Sequence, residues 1–231
     1  ESPSDIQAQS VFYLKLAEKK IKTFLKKDYL KNLKVTPIIK HYLSFKEINE
    51  IAEEEKVDLI IMSSHGASGI KELFVGSNTE KVVRFASIPV LILKEELFDL
   101  NFEDVVYASD FSEESTEAYK KAIKLIDFFG AELHLLYVNT PNDKFKTSTE
   151  MKELAANFLT KAGQDISKLK EITFECETTI EKGILKFSNR IGADLIAVST
   201  HGRKGLSHLF EGSVAEDLSN HSMLPVVTIK I

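Results

Sequence analysis

The chain has 231 residues, 43% of them hydrophobic and 28% charged, the balance of an ordinary globular protein of one large or two small domains. A formal net charge of −5 leaves no basic footprint for nucleic acid, and the single cysteine, Cys176, excludes an internal disulfide framework and suits a reducing compartment. No apolar run of about 18 residues offers a membrane span, and the opening residues, ESPSDIQAQ, carry neither the basic patch nor the apolar stretch of a secretory signal.

In chain order the pattern predicts a long helix over about 4–27, a strand over 34–42, a helix over 44–56 and a strand over 57–64. A glycine-bearing loop, HGASGIKELFVGS (65–77), leads into a helix over 77–87 and a strand, PVLILK, over 89–94. EELFDLNF (95–102) reads as a linker. The second half opens with a β-branched, apolar run, DVVYASDF (104–111), a buried strand. Ala118, Ala122, Leu125 and Phe129 recur at helical spacing over 112–130, and Gly130 stops that helix. AELHLLYVN (131–139) is a strand, TPNDKFKTS a polar loop, and a helix covers about 149–168. ITFECETT (172–179) alternates as a strand, with Cys176 expected as a small core residue. A helix over 181–192 ends at Gly192, a buried strand covers 193–200, and after a second glycine loop, HGRKGLSHLFEGS (201–213), come a helix over 213–221 and a last strand over 225–231.

The two glycine loops are copies. A constant offset of 136 positions aligns 57–94 with 193–230 without a gap, and fifteen of the thirty-eight pairs are identical. They include Asp58/Asp194, His65/His201, Gly66/Gly202, Gly76/Gly212, Ser77/Ser213, Glu80/Glu216 and Pro89/Pro225. Glycines and a proline kept in register indicate a duplicated unit. Alternating strands and helices imply α/β folding with parallel sheets and helices on both faces. The second copy has the full plan; the first lacks the opening strand–helix–strand. The expected domains are 1–96, incomplete at its front, and 102–231, complete.

Three features, YASDFSE after the strand at 104–111, LLYVN in the next strand, and H-G-x9-G-S in both copies, make the chain resemble the universal stress protein family in its tandem form, over essentially its whole length. The resemblance implies an adenine nucleotide alpha hydrolase-like fold, two tandem open sheets of strand order 3-2-1-4-5, the first incomplete. In that order the strand at 34–42 would be parted from the strand at 57–64 by two inter-strand spacings, about 10 Å. The expectation is either that encoded residues precede this segment or that a partner chain fills the gap, and the first is favoured. The final strands of the two copies are expected to pair antiparallel within one chain, an internal pseudo-dimer; homo-oligomers are compatible with this.

The family's nucleotide pattern is Gly, two residues, Gly, nine residues, Gly, then Ser or Thr. Gly202 to Gly212 keeps the nine-residue spacing, but Ser199 (Ser63 in the first copy) stands where the leading glycine would be. In open parallel sheets ligands sit beyond the carboxyl ends of strands where chain order reverses. Strands ending at Tyr107–Ala108 and at Val198 would flank such a crevice, and Gly212-Ser213 would open a helix whose free N–H groups and dipole suit phosphate. Arg203 could meet the phosphate charge. Asp110 and the Val138 backbone would read the adenine edge, roles that come from the resemblance. The binding set is thus Ala108, Asp110, Val138, Val198, Ser199, Gly202, Arg203, Gly212, Ser213 and Val214, for ATP with or without Mg²⁺.

The same residues have structural readings. Ser213 with Glu216, and Ser77 with Glu80, are capping boxes, and Asp110 with Glu113 is a helix-start signal. No cluster with zinc-ligand spacing surrounds His65 or His201, so no metal site is expected. In the first copy Ala67 replaces Arg203, and the counterparts of Asp110 and Val138 would fall in the missing front; without them anion binding at most is expected there. The sequence points to a cytoplasmic stress-response protein that binds an adenine nucleotide as a sensor or regulator, with no membrane or nucleic-acid partner and no evident general base or nucleophile. The alternative is a nucleotide-free scaffold whose duplicated fold serves association.

Overall fold

The fold is taken from a computed structural model, which describes residues 3–39, 45–63, 77–94, 101–141, 145–200 and 213–231. Two compact units emerge, residues 1–47 and 48–231.

The first unit holds helix α1 (Pro3–Phe24) and a 3₁₀ turn (Asp28–Leu30). Val11, Phe12, Tyr13 and Leu16 of α1 are exposed. Residues 34–39, expected to begin a strand, form none, and Val35 and Ile38 are exposed. A strand persists only where a neighbour takes its N–H and C=O groups, and Pro37 removes a donor from the middle of this stretch. Positions 40–42 lie outside the described residues. Helix α2 (Phe45–Glu54) spans the division between the units.

The second unit is built on one seven-stranded sheet. Its elements in order are β1 (Ile60–Ser63), α3 (Ser77–Phe85), β2 (Val90–Leu93), β3 (Asp104–Ala108), α4 (Ser115–Phe129) and β4 (Glu132–Asn139). They continue with α5 (Ser148–Lys161), a 3₁₀ segment (Ile166–Glu171), β5 (Thr173–Cys176), α6 (Ile180–Ile191), β6 (Leu195–Thr200), α7 (Ser213–His221) and β7 (Val226–Lys230). The strand order is β1-β2-β7-β6-β3-β4-β5. Numbered from β3, the five strands of the second copy lie in the order 3-2-1-4-5, all parallel. The antiparallel pairing expected of the final strands joins the strands of both copies into this single sheet: β2 pairs antiparallel with β7, Leu91 opposite Val227. The final strands of the two copies therefore meet inside one chain, and β1 forms an edge.

Strand alternation sends successive side chains to opposite faces, and two cores result. Val105, Tyr107, Leu195 and Ala197 pack under α4 and α5, against Tyr119, Ile126, Phe158 and Leu159. Val106, Ala108, Ile196 and Val198 pack under α6 and α7, against Ile184, Phe187 and Leu218. Each such fully buried large side chain contributes about 1.5–3 kcal/mol.

Local chemistry sets the helix ends. Gly130 and Gly192 take left-handed φ values of 72° and 71° and close α4 and α6. Helix α5 starts on a Thr147–Glu150 capping box and stops short of the expected residue 168, since Gly163 adopts a φ of 71°. Cys176, expected in the core, is exposed at the end of β5, the other edge of the sheet. Among the described residues no helix is long and apolar enough to cross a membrane.

Candidate functional site

The chain order of the sheet reverses between β3 and β6: β4 and β5 extend to one side, β7 to the other. The two strands end level, with Tyr107 opposite Ala197 and Ala108 opposite Val198. Ala108, Val198 and Val214 share one buried cluster, and Val138 packs against it. Val214 lies in the first turn of α7. Its packing brings the start of that helix to the carboxyl ends of β3 and β6, where free N–H groups and the positive end of the helix dipole favour an anion. Four of the expected site residues are thus assembled by hydrophobic packing alone. Ser213 opens α7 as expected, and Ser77 opens α3. Gly202, Arg203 and Gly212, with His65, Gly66, Gly76 and His201, lie outside the described residues.

Asp110 sits just past β3 and is half-buried. Its Oδ1 accepts from the Ser112 N–H at 3.0 Å, a local turn, and is not paired in a box with Glu113. Glu113 instead pairs with Lys161 at 2.6 Å. Ser109 braces the same turn: its Oγ accepts from the Phe111 N–H at 3.1 Å and lies 3.2 Å from Ser115 Oγ. Phe111 takes a φ of 55°, a conformation that is costly for a bulky residue. Its ring is held against Tyr137 and Phe158, with centroids 5.5 and 5.0 Å away, and that burial offsets the strain. Burial pushes the phenols of Tyr107 and Tyr137 above their ordinary range, and the Asp110 carboxylate adds to both shifts.

Ser199 occupies the position of the missing glycine. Alternation places it on the face of Ala197, under α4, away from the face that carries α7. It is 1% exposed. Its hydroxyl is near enough to the Tyr107 phenol to temper that group's shift, yet neither oxygen makes a hydrogen bond of acceptable geometry. The serine thus adds an orphan hydroxyl under α4 and puts no bulk in front of α7.

The first copy differs at the corresponding place. Thr79, in the first turn of α3, donates its hydroxyl to the Ser63 carbonyl at 3.0 Å. The 136-residue offset sets Ala215 there in the second copy, a residue with no hydroxyl to give.

Two supports for the site escaped sequence reasoning. Asn139, at the end of β4, clamps the following loop: its Nδ2 donates to the Lys146 carbonyl at 2.8 Å and its Oδ1 accepts from the Lys146 N–H at 3.1 Å. A polar residue closing an apolar strand was the available signal. Gly183 in α6 lies so close to Val138 that a Cβ there would meet its Cγ1 at 2.5 Å. That contact has no sequence signal, because it depends on how α6 crosses β4.

Comparison with known proteins agrees with this fold. A model of the universal stress protein family matches residues 2–94 and again 101–230. A universal stress protein of Methanocaldococcus jannaschii is 46% identical over 63 residues, 27% of this chain and 39% of its own length. A second from that organism is 31% identical over 140 residues, 56% of this chain and 82% of its own. The crystal structure of a universal stress protein from Archaeoglobus fulgidus superposes with a TM-score of 0.72 at 25% identity, covering 99% of this chain and 83% of that one. With two family matches accounting for both copies of the repeat, this chain belongs to the universal stress protein family, in tandem form.

Proposed function

We propose that the second copy binds an adenine nucleotide, ATP with or without Mg²⁺, and that the protein acts as a nucleotide-responsive regulator in a cytoplasmic stress response. The single observation that carries this is the cluster of Ala108, Val198 and Val214, which sets the start of α7 at the reversal point of the sheet. The phosphates would lie against the amides opening α7 at Ser213, with Gly212 permitting close approach and Arg203 supplying charge. The base would lie near Asp110 and the Val138 backbone, at the ends of β3 and β4. The orientation of Ser199 toward α4 supports the fit, since the departure from the glycine pattern points away from the face that carries α7. The first copy, with Ala67 in place of Arg203, is left with anion binding at most. Bound nucleotide would supply charge and a purine face; the chain's residues bind and orient it, and no catalytic step is assigned.

A second reading, a nucleotide-free scaffold, is favoured by the internal β2–β7 pairing, which uses the duplication for association. Calorimetric titration of the full chain with ATP and Mg²⁺, beside Gly212→Val, separates the two. Heat in the wild type that Gly212→Val abolishes supports the nucleotide site. Silence of the wild type at millimolar nucleotide leaves the scaffold, and equal binding by both proteins puts the ligand elsewhere.

A further inference from the structure

At the opposite end of the sheet three side chains with ligand atoms converge. Asp104 opens β3; Glu132 and His134 lie at the start of β4. The parallel register pairs Asp104 with Glu132 and Val106 with His134, so alternation puts all three on one face of the sheet. One ligand atom from each lies within 4.8 Å of the other two. His134 Nε2 is 2.6 Å from Asp104 Oδ1. His134 and Asp104 are half-buried, while Glu132 is exposed.

The backbone beneath them is fixed. Asp194 Oδ2 accepts from the N–H groups of Glu103 and Asp104, at 2.9 and 3.0 Å, and the Glu132 N–H donates to the Glu103 carbonyl at 2.7 Å. The charge is one-sided. Glu103, Asp104, Glu132 and Asp194 gather at the amino ends of β3, β4 and β6, and among the described residues none of them pairs with a lysine or arginine. Four carboxylates with one imidazole between them make a local negative potential that attracts a cation.

We propose that Asp104, Glu132 and His134 form a binding site for a first-row divalent transition-metal ion, of which zinc suits the donors well. An imidazole nitrogen with two carboxylates favours zinc over magnesium or calcium, which take oxygen ligands. Tetrahedral zinc holds donors at about 2.0–2.2 Å and so roughly 3.3 Å from one another. The His134–Asp104 contact opens by about 0.7 Å to reach that spacing, and the exposed Glu132 side chain swings in. Water completes the fourth position. The ion takes the Nε2 lone pair in place of the contact with Asp104. The site is at the far end of the strands from the proposed nucleotide and is independent of it.

The test is calorimetry of the full chain, stripped of metal and titrated with zinc chloride in a non-coordinating buffer. One zinc per chain is expected, with affinity lowered at least about tenfold by Glu132→Gln and by His134→Ala. Cys176→Ser leaves it unchanged, and magnesium in place of zinc gives no binding. Glu132 is exposed, so Glu132→Gln reports on binding even where His134→Ala disturbs the strand. Absence of zinc binding up to about 100 μM overturns the proposal, and so does unchanged affinity in both variants.

Discussion

Gly183→Ala tests the packing that holds the base-proximal strand. The added Cβ would lie 2.5 Å from Val138 Cγ1, 2.8 Å from Cγ2 and 3.3 Å from Cβ. Both γ-methyls are too close, so rotating valine about χ1 only exchanges one clash for the other, and a β-branched side chain has few rotamers to spare. Relief requires α6 to lift from β4 by about 1 Å, a backbone shift of the kind that costs about 1–3 kcal/mol. Against this, alanine is better than glycine in a helix interior by about 1 kcal/mol. The clash involves stiff atoms and falls in the upper part of its range, so a net loss of about 1–2 kcal/mol is expected. Urea denaturation of the wild type, Gly183→Ala, Val138→Ala and the double variant measures it. Removing the valine methyls should restore the fit, giving a coupling of about 1–2 kcal/mol between the sites. A Gly183→Ala protein more stable than wild type by the helix-propensity gain, or a Val138→Ala cost equal in both backgrounds, refutes the close approach.

Two further outcomes follow from the electrostatics. Burial lowers Lys94 from its ordinary 10.5 to about 8, so between about pH 8 and 10 the unfolded chain holds more protons than the fold and stability rises with pH. Above about pH 10 the trend reverses, because Tyr119, pushed up to about 12, and Tyr107 keep protons that the unfolded chain releases. Urea midpoints of the wild type should climb through that first window and those of Lys94→Arg, which stays charged, should not; a flat wild-type profile contradicts the burial. Asp194→Ala leaves the N–H groups of Glu103 and Asp104 without their acceptor and should cost about 1–3 kcal/mol. Asp194→Asn, which keeps a carbonyl oxygen, should recover most of it, and equal losses in the two variants would place the effect elsewhere.

Much of the fold was legible in the residues. The 136-residue offset disclosed the duplication, and runs such as DVVYA and LIAVS are apolar because both faces of their strands are covered. Gly130 and Gly192 marked helix ends because only a residue without Cβ turns left-handed there cheaply. The start of α7 at Ser213 was equally readable. Residues 34–39 misled because an apolar stretch looks the same whether or not a partner strand exists. Cys176 misled because alternation reveals two faces without saying which is covered.

By itself the sequence determined the copied unit, the alternation of strands and helices, and the residues available for an anion at a helix start; these are local patterns, fixed by side-chain size, period and backbone freedom. Tertiary structure alone decided that Ser199 turns toward α4, that Gly183 touches Val138, and that Asp104 meets His134. Each depends on register or on a crossing between elements distant in the chain. A one-residue slip in pairing would send those side chains to the opposite face, and no local pattern records which pairing is made.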